Sequence, residues 1–189
     1  LKVGDWITIK KLDIDGNVEE ISLTTVKVRN FDNTISTIPP YTLVSDTFQN
    51  WNAMVTTGAR RIKRTLYIDV QSIRSLSLSE IEALIAEKLL SQKDITNNTN
   101  INLTLYRHHL SELFKKDKDI VQDQWILVRQ LNPTPNGLPL EIWLYTNNTN
   151  FVDYEEVAAS RIESIIALLP TFHLQMFQSP TSSDFHNIK

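Results

Sequence analysis

Near residue 58 the hydrophobic rhythm of this chain changes, and the change divides it into two small folded bodies in series. Ahead of that point, apolar residues recur at every second position in short runs. Beyond it, such runs alternate with stretches at helical spacing. Asp5-Trp6-Ile7-Thr8-Ile9-Lys10 alternates polar and apolar side chains, the mark of a half-buried strand. Asp15-Gly16-Asn17 offers a tight turn, because glycine reaches positive φ without a Cβ clash. Val18 to Asn30 is rich in β-branched residues and too long for one flat strand, so a bend is expected. Asp32-Asn33 makes a second turn ahead of Thr34–Ile38, and Pro39-Pro40 ends that strand because proline has no N–H for the ladder. Tyr41 to Ser45 reads as one helical turn, and Phe48 to Trp51 as a last short strand. Strands this short and twisted predict a small, partly open barrel over residues 1–57.

Thr56-Thr57-Gly58-Ala59 reads as a connector. After it, Leu66, Ile68 and Val70 alternate with Thr65, Tyr67 and Asp69 as a strand with one buried face. Ser79-Glu80-Ile81-Glu82 reads as a capping box opening a helix, with Ile81, Leu84, Ile85 and Leu89 as its apolar stripe. Residues 91–102 are polar and rich in Asn and Thr, as in an exposed loop. Leu103, Tyr106, Leu110, Leu113 and Phe114 mark a second helix. Trp125 to Leu131 is a strand, Pro133 to Gly137 a turn, and Leu140, Ile142 and Leu144 the buried face of the return strand. Asp153 with Glu156 forms a further capping box, ahead of a helix with the stripe Val157, Ala158, Ile162, Ile165, Ile166 and Leu169. Pro170 stops that helix. Phe172, Leu174 and Met176 alternate in a final strand. The order β-α-(α)-β-β-α-β is the ferredoxin-like, split-βαβ plan with one additional helix, over residues 58–178, followed by a tail at 179–189. The expected class is therefore α+β, with helices on one face of the second sheet.

Composition excludes several chemistries. A net charge of -3 argues against nucleic acid as the partner. No cysteine is present, which removes disulfides, thiolate metal sites and thiol catalysis. The four histidines, His108, His109, His173 and His186, include no HxxxH or HExxH spacing, so no metal or other cofactor is expected. Asp13-Ile14-Asp15-Gly16 resembles the start of a calcium loop but lacks the closing glutamate, and a hairpin turn is the better reading. The four glycines form neither a GxGxxG nor a Walker loop, and no nucleophile elbow occurs, so enzymatic activity is not expected. The sequons at Asn97, Asn102 and Asn147 read as accidents of an Asn- and Thr-rich composition. The densest apolar run, Ile165 to Leu169, is far short of the ~18 residues of a membrane span.

Arg60-Arg61-Ile62-Lys63-Arg64 places four cations in five residues. Read plainly, this is a solvated strand start. Read functionally, it is a ring of positive potential around an aqueous opening once several copies assemble. The tryptophans, Trp6, Trp51, Trp125 and Trp143, read as core or subunit-interface packing, because Leu66, Ile68, Leu127, Leu140 and Ile142 dominate one face of the second sheet.

The first 57 residues resemble the β-domain of the small-conductance mechanosensitive (MscS) channel family. The resemblance rests on Val3-Gly4-Asp5-Trp6-Ile7, Gly16-Asn17-Val18-Glu19-Glu20-Ile21, Thr24-Thr25-Val26-Lys27-Val28 and Asn33-Thr34-Ile35-Ser36-Thr37-Ile38-Pro39 in this order, with Asn50 near the end. Gly4, Asp5, Gly16, Val18, Ile38, Pro39 and Asn50 carry the family's structural motif, while Pro40 and Thr47 stand where the family has asparagines. The linker 58–64 and the additional helix near 103–116 look most like the miniconductance branch. The resemblance implies an Sm-like β-barrel and a ferredoxin-like domain on the cytoplasmic side of a bacterial inner membrane. It further implies a homoheptameric cage that passes inorganic ions and small osmolytes. The helices that meet the lipid bilayer would lie upstream of Leu1, which also fits a chain that opens directly on a strand. The tail Ser179 to Lys189 is where the family can build a small barrel from all subunits. The competing reading is a soluble Sm-like and ferredoxin-like module that binds RNA or a small ligand.

Overall fold

The period-2 residues ahead of residue 58 form a five-stranded antiparallel sheet, ordered β4-β3-β2-β1-β5. Its strands are β1 (Trp6–Ile9), β2 (Ile14–Ile21), β3 (Val26–Asn30), β4 (Ile35–Ile38) and β5 (Gln49–Asn50). The computed structural model describes residues 1–91 and 100–179, and the chain divides into two units, Leu1–Gly58 and Ala59–Lys189. In the first unit, Ile7, Ile9, Ile14, Val18, Val26, Val28 and Ile38 turn inward, with Leu43 and Phe48 packed against them. Two short helices complete it, α1 (Pro40–Ser45) and α2 (Asn52–Thr57). The expected connector at Thr56–Ala59 is thus the end of α2, closed by Gly58 at φ 62°.

Two turns differ from the sequence reading. Asp15-Gly16-Asn17 is not a turn. The reversal is a short 3₁₀ segment, Lys10–Leu12, closed by Asp13 at φ 53°, and residues 14–17 already pair with β1. Gly16 faces inward between Ile14 and Val18, opposite Asn30. A methyl group there would lie 2.0 Å from the Arg29 carbonyl oxygen, so glycine serves close strand approach rather than positive φ. Val18 to Asn30 does not bend as one strand. It is a hairpin, closed where Ser22 N–H donates to the Thr25 carbonyl (2.8 Å) and Thr25 N–H to Ser22 Oγ (3.0 Å).

The second unit has a three-stranded antiparallel sheet ordered β6-β8-β7: β6 (Arg60–Ile68), β7 (Leu127–Gln130) and β8 (Leu138–Thr146). Its helices are α3 (Leu78–Ala86), α4 (Asn102–Phe114) and α5 (Phe151–Leu168). Met176 bridges Ile68 in antiparallel sense, so the order across the sheet runs 176-β6-β8-β7, that of a split βαβ plan with its fourth strand reduced to one bridge. The reduction has a local cause. Pro170–Phe172 continues as a 3₁₀ turn and His173 sits at φ 56°, so Phe172 enters the core from a turn and not from a strand. Ile62, Leu66, Ile68, Val128, Leu140, Ile142 and Leu144 meet α4 and α5 through Tyr106, Leu110, Phe114, Ala158 and Ile165.

Both helix starts lie off their expected positions. The box on α3 is Ser77 with Glu80, not Ser79 with Glu82, and α5 is capped by Asn150, whose Oδ1 accepts from Val152 and Asp153 N–H. In each case a capping residue stands slightly upstream of the one the pattern suggests. Leu113 and Ile166, expected in core stripes, are 40% and 38% exposed. The central part of the polar 91–102 stretch, and the tail beyond Ser179 with His186, lie outside the described residues. Asn102, at the end of that stretch, is fully buried at the first turn of α4. Among the described residues no helix is long and apolar enough to cross a membrane.

Candidate functional site

In the first unit four of the seven motif residues, Gly4, Asp5, Val18 and Asn50, meet in one lock. Gly4, at φ 92°, donates its N–H to the Val18 carbonyl at 2.8 Å, and Val18 N–H returns to the Asp5 carbonyl at 2.9 Å. The Asp5 carboxylate accepts from Asn50 Nδ2 and from Lys2 N–H, each at 2.9 Å. The Asn50 amide first, and the Lys2 N–H second, hold the Asp5 carboxyl below the usual carboxylate range. Asn50 Oδ1 then accepts the Asn52 N–H at 2.8 Å and starts α2. The entrance of the unit is therefore pinned to β2 and to its last strand. Gly16 and Ile38 serve the sheet's interior, and Pro39 precedes α1 at its N-terminus.

Beside this lock, Trp6 and Trp51 stack with ring centroids 4.9 Å apart. Trp51 Nε1–H donates to Thr8 Oγ1 (2.9 Å), and Asp15 accepts from Trp6 Nε1–H and the Thr8 hydroxyl (2.7 Å each). Asp15, expected in a turn, is instead an acceptor on β2 that fixes an aromatic pair joining β1 to the residue after β5.

The basic run Arg60–Arg64 lies inside β6, and strand alternation divides it. Arg60 and Arg64 point to the helix-covered face. Arg60 is nearly buried; its guanidinium stands 3.8 Å from the centroid of the Tyr154 ring and donates to the Thr149 carbonyl. Burial lowers its pKa from the ordinary arginine value. Arg64 pairs with Glu155 of α5. Arg61 and Lys63 point to the opposite face, which carries none of the core helices. The four cations therefore do not form one block of charge.

That open face has its own construction, centred on β8. Trp143 sits opposite Lys63 and Leu127 in the ladder. Its ring is approached by Arg61 at 4.8 Å, Lys63 at 5.3 Å and Arg129 at 5.8 Å. Two residues along, Glu141 is almost wholly buried and binds Arg129 (2.6 and 2.8 Å) and Lys63 (3.3 Å). Burial pushes the Glu141 carboxyl up, but Arg129 and Lys63 together outweigh it, and its pKa ends below the ordinary value. Trp143 Nε1–H is hidden from solvent without an acceptor among the described residues. Leu127, grouped by its pattern with the buried leucines, lies on this open face, 37% exposed.

The remaining candidates disperse. His109 Nδ1–H donates to the Leu89 carbonyl at 2.6 Å, and His173 faces Glu80 at 3.4 Å. Among the described residues no three His, Cys, Asp or Glu side chains come together as metal ligands. Asn102, notable in the sequence only as a sequon, is a buried hub: Oδ1 accepts from Arg74 and Leu103 N–H, and Nδ2 donates to the Ser72 and His173 carbonyls. Its sequence signal is an Asn directly ahead of an apolar helical stripe. Glu141 has no such signal, since a charged residue on the polar parity of a strand looks solvated.

Residues 1–53 match the family model for the mechanosensitive ion channel β-domain. An uncharacterised MscS family protein of Aquifex aeolicus is 24% identical over 157 residues, covering 83% of this chain and 34% of the relative. One from Helicobacter pylori is 24% identical over 193 residues, covering 95% of this chain and 29% of the relative. The chain thus spans about a third of the length of the curated relatives it matches. Among solved structures, Arabidopsis thaliana MSL1 superposes with a TM-score of 0.67 at 10% identity, over 95% of this chain and 53% of that one. The closed state of Helicobacter pylori MscS gives 0.62 at 15% identity, over 96% and 58%. Those likenesses are of fold, and they extend through both units.

Proposed function

We propose that this chain is a C-terminal domain of the MscS family and forms the cytoplasmic vestibule and assembly region of a tension-gated channel that releases ions and small solutes on osmotic downshock. The observation that carries the reading is the β-domain match over residues 1–53, whose motif residues lock the chain entrance to β2 and β5. A vestibule needs rigid modules, surfaces for other copies and an aqueous route; it needs no catalytic constellation. The domain acts as a homoheptamer on the inner face of a bacterial inner membrane, with the bilayer-spanning helices elsewhere in the native protein. Inorganic ions and small osmolytes are the permeants, and the miniconductance branch is the sub-family proposed for it.

The test is patch-clamp recording of the full-length native protein in liposomes. Stepwise currents under membrane tension are expected. Silence up to lytic tension, together with salt-dependent RNA binding by this chain, would replace the reading with that of a soluble binding module.

A further inference from the structure

The open face of the second sheet is rich in donors and short of acceptors. Three cations gather around Trp143, and among the described residues one carboxylate, Glu141, answers them. Arg61 has the indole ring as its partner there, not a carboxylate. Like charges held this close repel one another unless an anion arrives from outside.

The same chain carries the complementary surface on the other side of that sheet. Helix α5 covers the core face with Tyr154, Ala158 and Ile165, and its outward stripe is Val152, Glu156, Ala159, Glu163 and Ile166. These five recur at steps of four and three residues, so they lie along one line of the helix. The stripe alternates apolar and acidic, with Val152 72% exposed. The cation within α5, Arg161, is turned sideways to Asp117 and Asp119 and does not neutralise it.

We propose that the open sheet face around Trp143 and Arg61 receives the Glu156–Glu163 stripe of α5 from a second copy of this chain. The inference rests on the assembly reading above and specifies which surfaces meet. Charge complementarity selects the occupant: the face has three cations to one carboxylate, and the stripe supplies two carboxylates between apolar contacts that suit the indole. The two surfaces lie on opposite sides of one sheet, so the contact is head-to-tail and not two-fold. Head-to-tail contacts propagate from copy to copy and make a ring when the rotation between neighbours closes, as the assembly reading requires.

The chain has no cysteine, so once any cysteine elsewhere in the native protein is replaced by serine, introduced pairs report on this domain alone. Arg61→Cys is combined with Glu156→Cys or with Glu163→Cys in the full-length native protein in membranes, and the single-cysteine variants are run beside them. Within one chain the sheet separates the paired positions, so a disulfide must join two copies. A ladder of covalent oligomers from at least one double variant, and none from any single variant, is expected. Separately, Arg61→Glu should reduce the oligomeric fraction on native gels at least about fivefold, and adding Glu156→Arg should restore it. Dimers from Arg61→Cys alone would indicate face-to-face pairing and overturn the proposal. An intact wild-type ring with no ladder from either pair would overturn it while leaving the vestibule reading in place. A monomeric wild type would remove both.

Discussion

Replacing Asn102 by alanine should be the most damaging polar substitution in the second unit. Its side chain is fully buried and makes four hydrogen bonds to backbone: from Arg74 N–H (3.0 Å) and Leu103 N–H (2.9 Å), and to the carbonyls of Ser72 (2.9 Å) and His173 (3.3 Å). Those groups belong to the segment before α3, the start of α4 and the turn after α5, so one side chain ties three separate stretches together. Each bond contributes about 1 kcal/mol net, and a backbone group left dry without a partner costs about 1–3 kcal/mol. The truncation should therefore destabilise by about 3–4 kcal/mol, or about 12 °C in Tm for a unit of this size. Urea and thermal melts followed by Trp fluorescence measure this, with Asn136→Ala in an exposed turn as a control expected within about 0.5 kcal/mol. Asn102→Asp sharpens the test. It keeps an acceptor for Arg74 and Leu103 but sets a second oxygen against two carbonyls. Burial raises the pKa of such a carboxyl, and only its protonated form can donate, so this variant should gain stability relative to wild type as pH falls from 7 towards 5. A loss below about 1 kcal/mol for the alanine variant, or a pH-independent aspartate variant, would refute the hub.

Gly16→Ala should cost the first unit more than about 3 kcal/mol, because the methyl group meets the Arg29 backbone and no side-chain motion can clear it; denaturant melts read this directly. The Glu141 pKa is lowered in the fold, so its ion pairs stabilise above the unfolded carboxyl pKa and fade as pH falls through the folded one. Acid titration of Glu141→Gln should accordingly show a flatter loss of stability below about pH 4.5 than wild type. Arg60→Ala, which empties the space beside Tyr154, should destabilise by about 2 kcal/mol, whereas Arg61→Ala on the open face should stay within about 1 kcal/mol; equal effects would mean that the two faces are not distinguished as described.

Alternation and helical spacing were legible because burial imposes them. The inward sets Ile7/Ile9 and Leu140/Ile142/Leu144 follow directly from period 2, and α4 and α5 from period 3.6. Turns were less legible. Asp15-Gly16-Asn17 carries turn chemistry, yet the need to bury Ile14 and Val18 on the same parity put Gly16 inside a strand, and the reversal fell on Lys10–Asp13, which has no glycine. The last strand failed for a similar reason. Phe172 and Leu174 are both buried, but a 3₁₀ turn and a left-handed His173 deliver them to the core without a ladder. Of the candidate site, the motif residues of the first unit could be named from sequence, but the bond from Asn50 back to Asp5 spans 45 positions and no local pattern encodes it. Glu141 and Trp143 stayed hidden because polar parity on a strand looks the same whether the face is wet or crowded by long cations.

The fate of the basic run shows how backbone geometry decides what charge can do. Four cations in five residues read as one electrostatic object only if their side chains share a side. On a helix, Arg60, Arg61, Lys63 and Arg64 would cluster on adjoining faces; on β6 they separate into one pair on each side of the sheet. The pair on the helix side is consumed by Tyr154, the Thr149 carbonyl and Glu155, which anchor β6 to α5. The pair on the open side meets an indole and half of a shared carboxylate, which leaves its charge undercompensated. The first pair therefore holds the unit together and the second faces outward from it. The vestibule proposed above would need both properties at once, internal rigidity and an unsatisfied surface, and one strand supplies them by alternating.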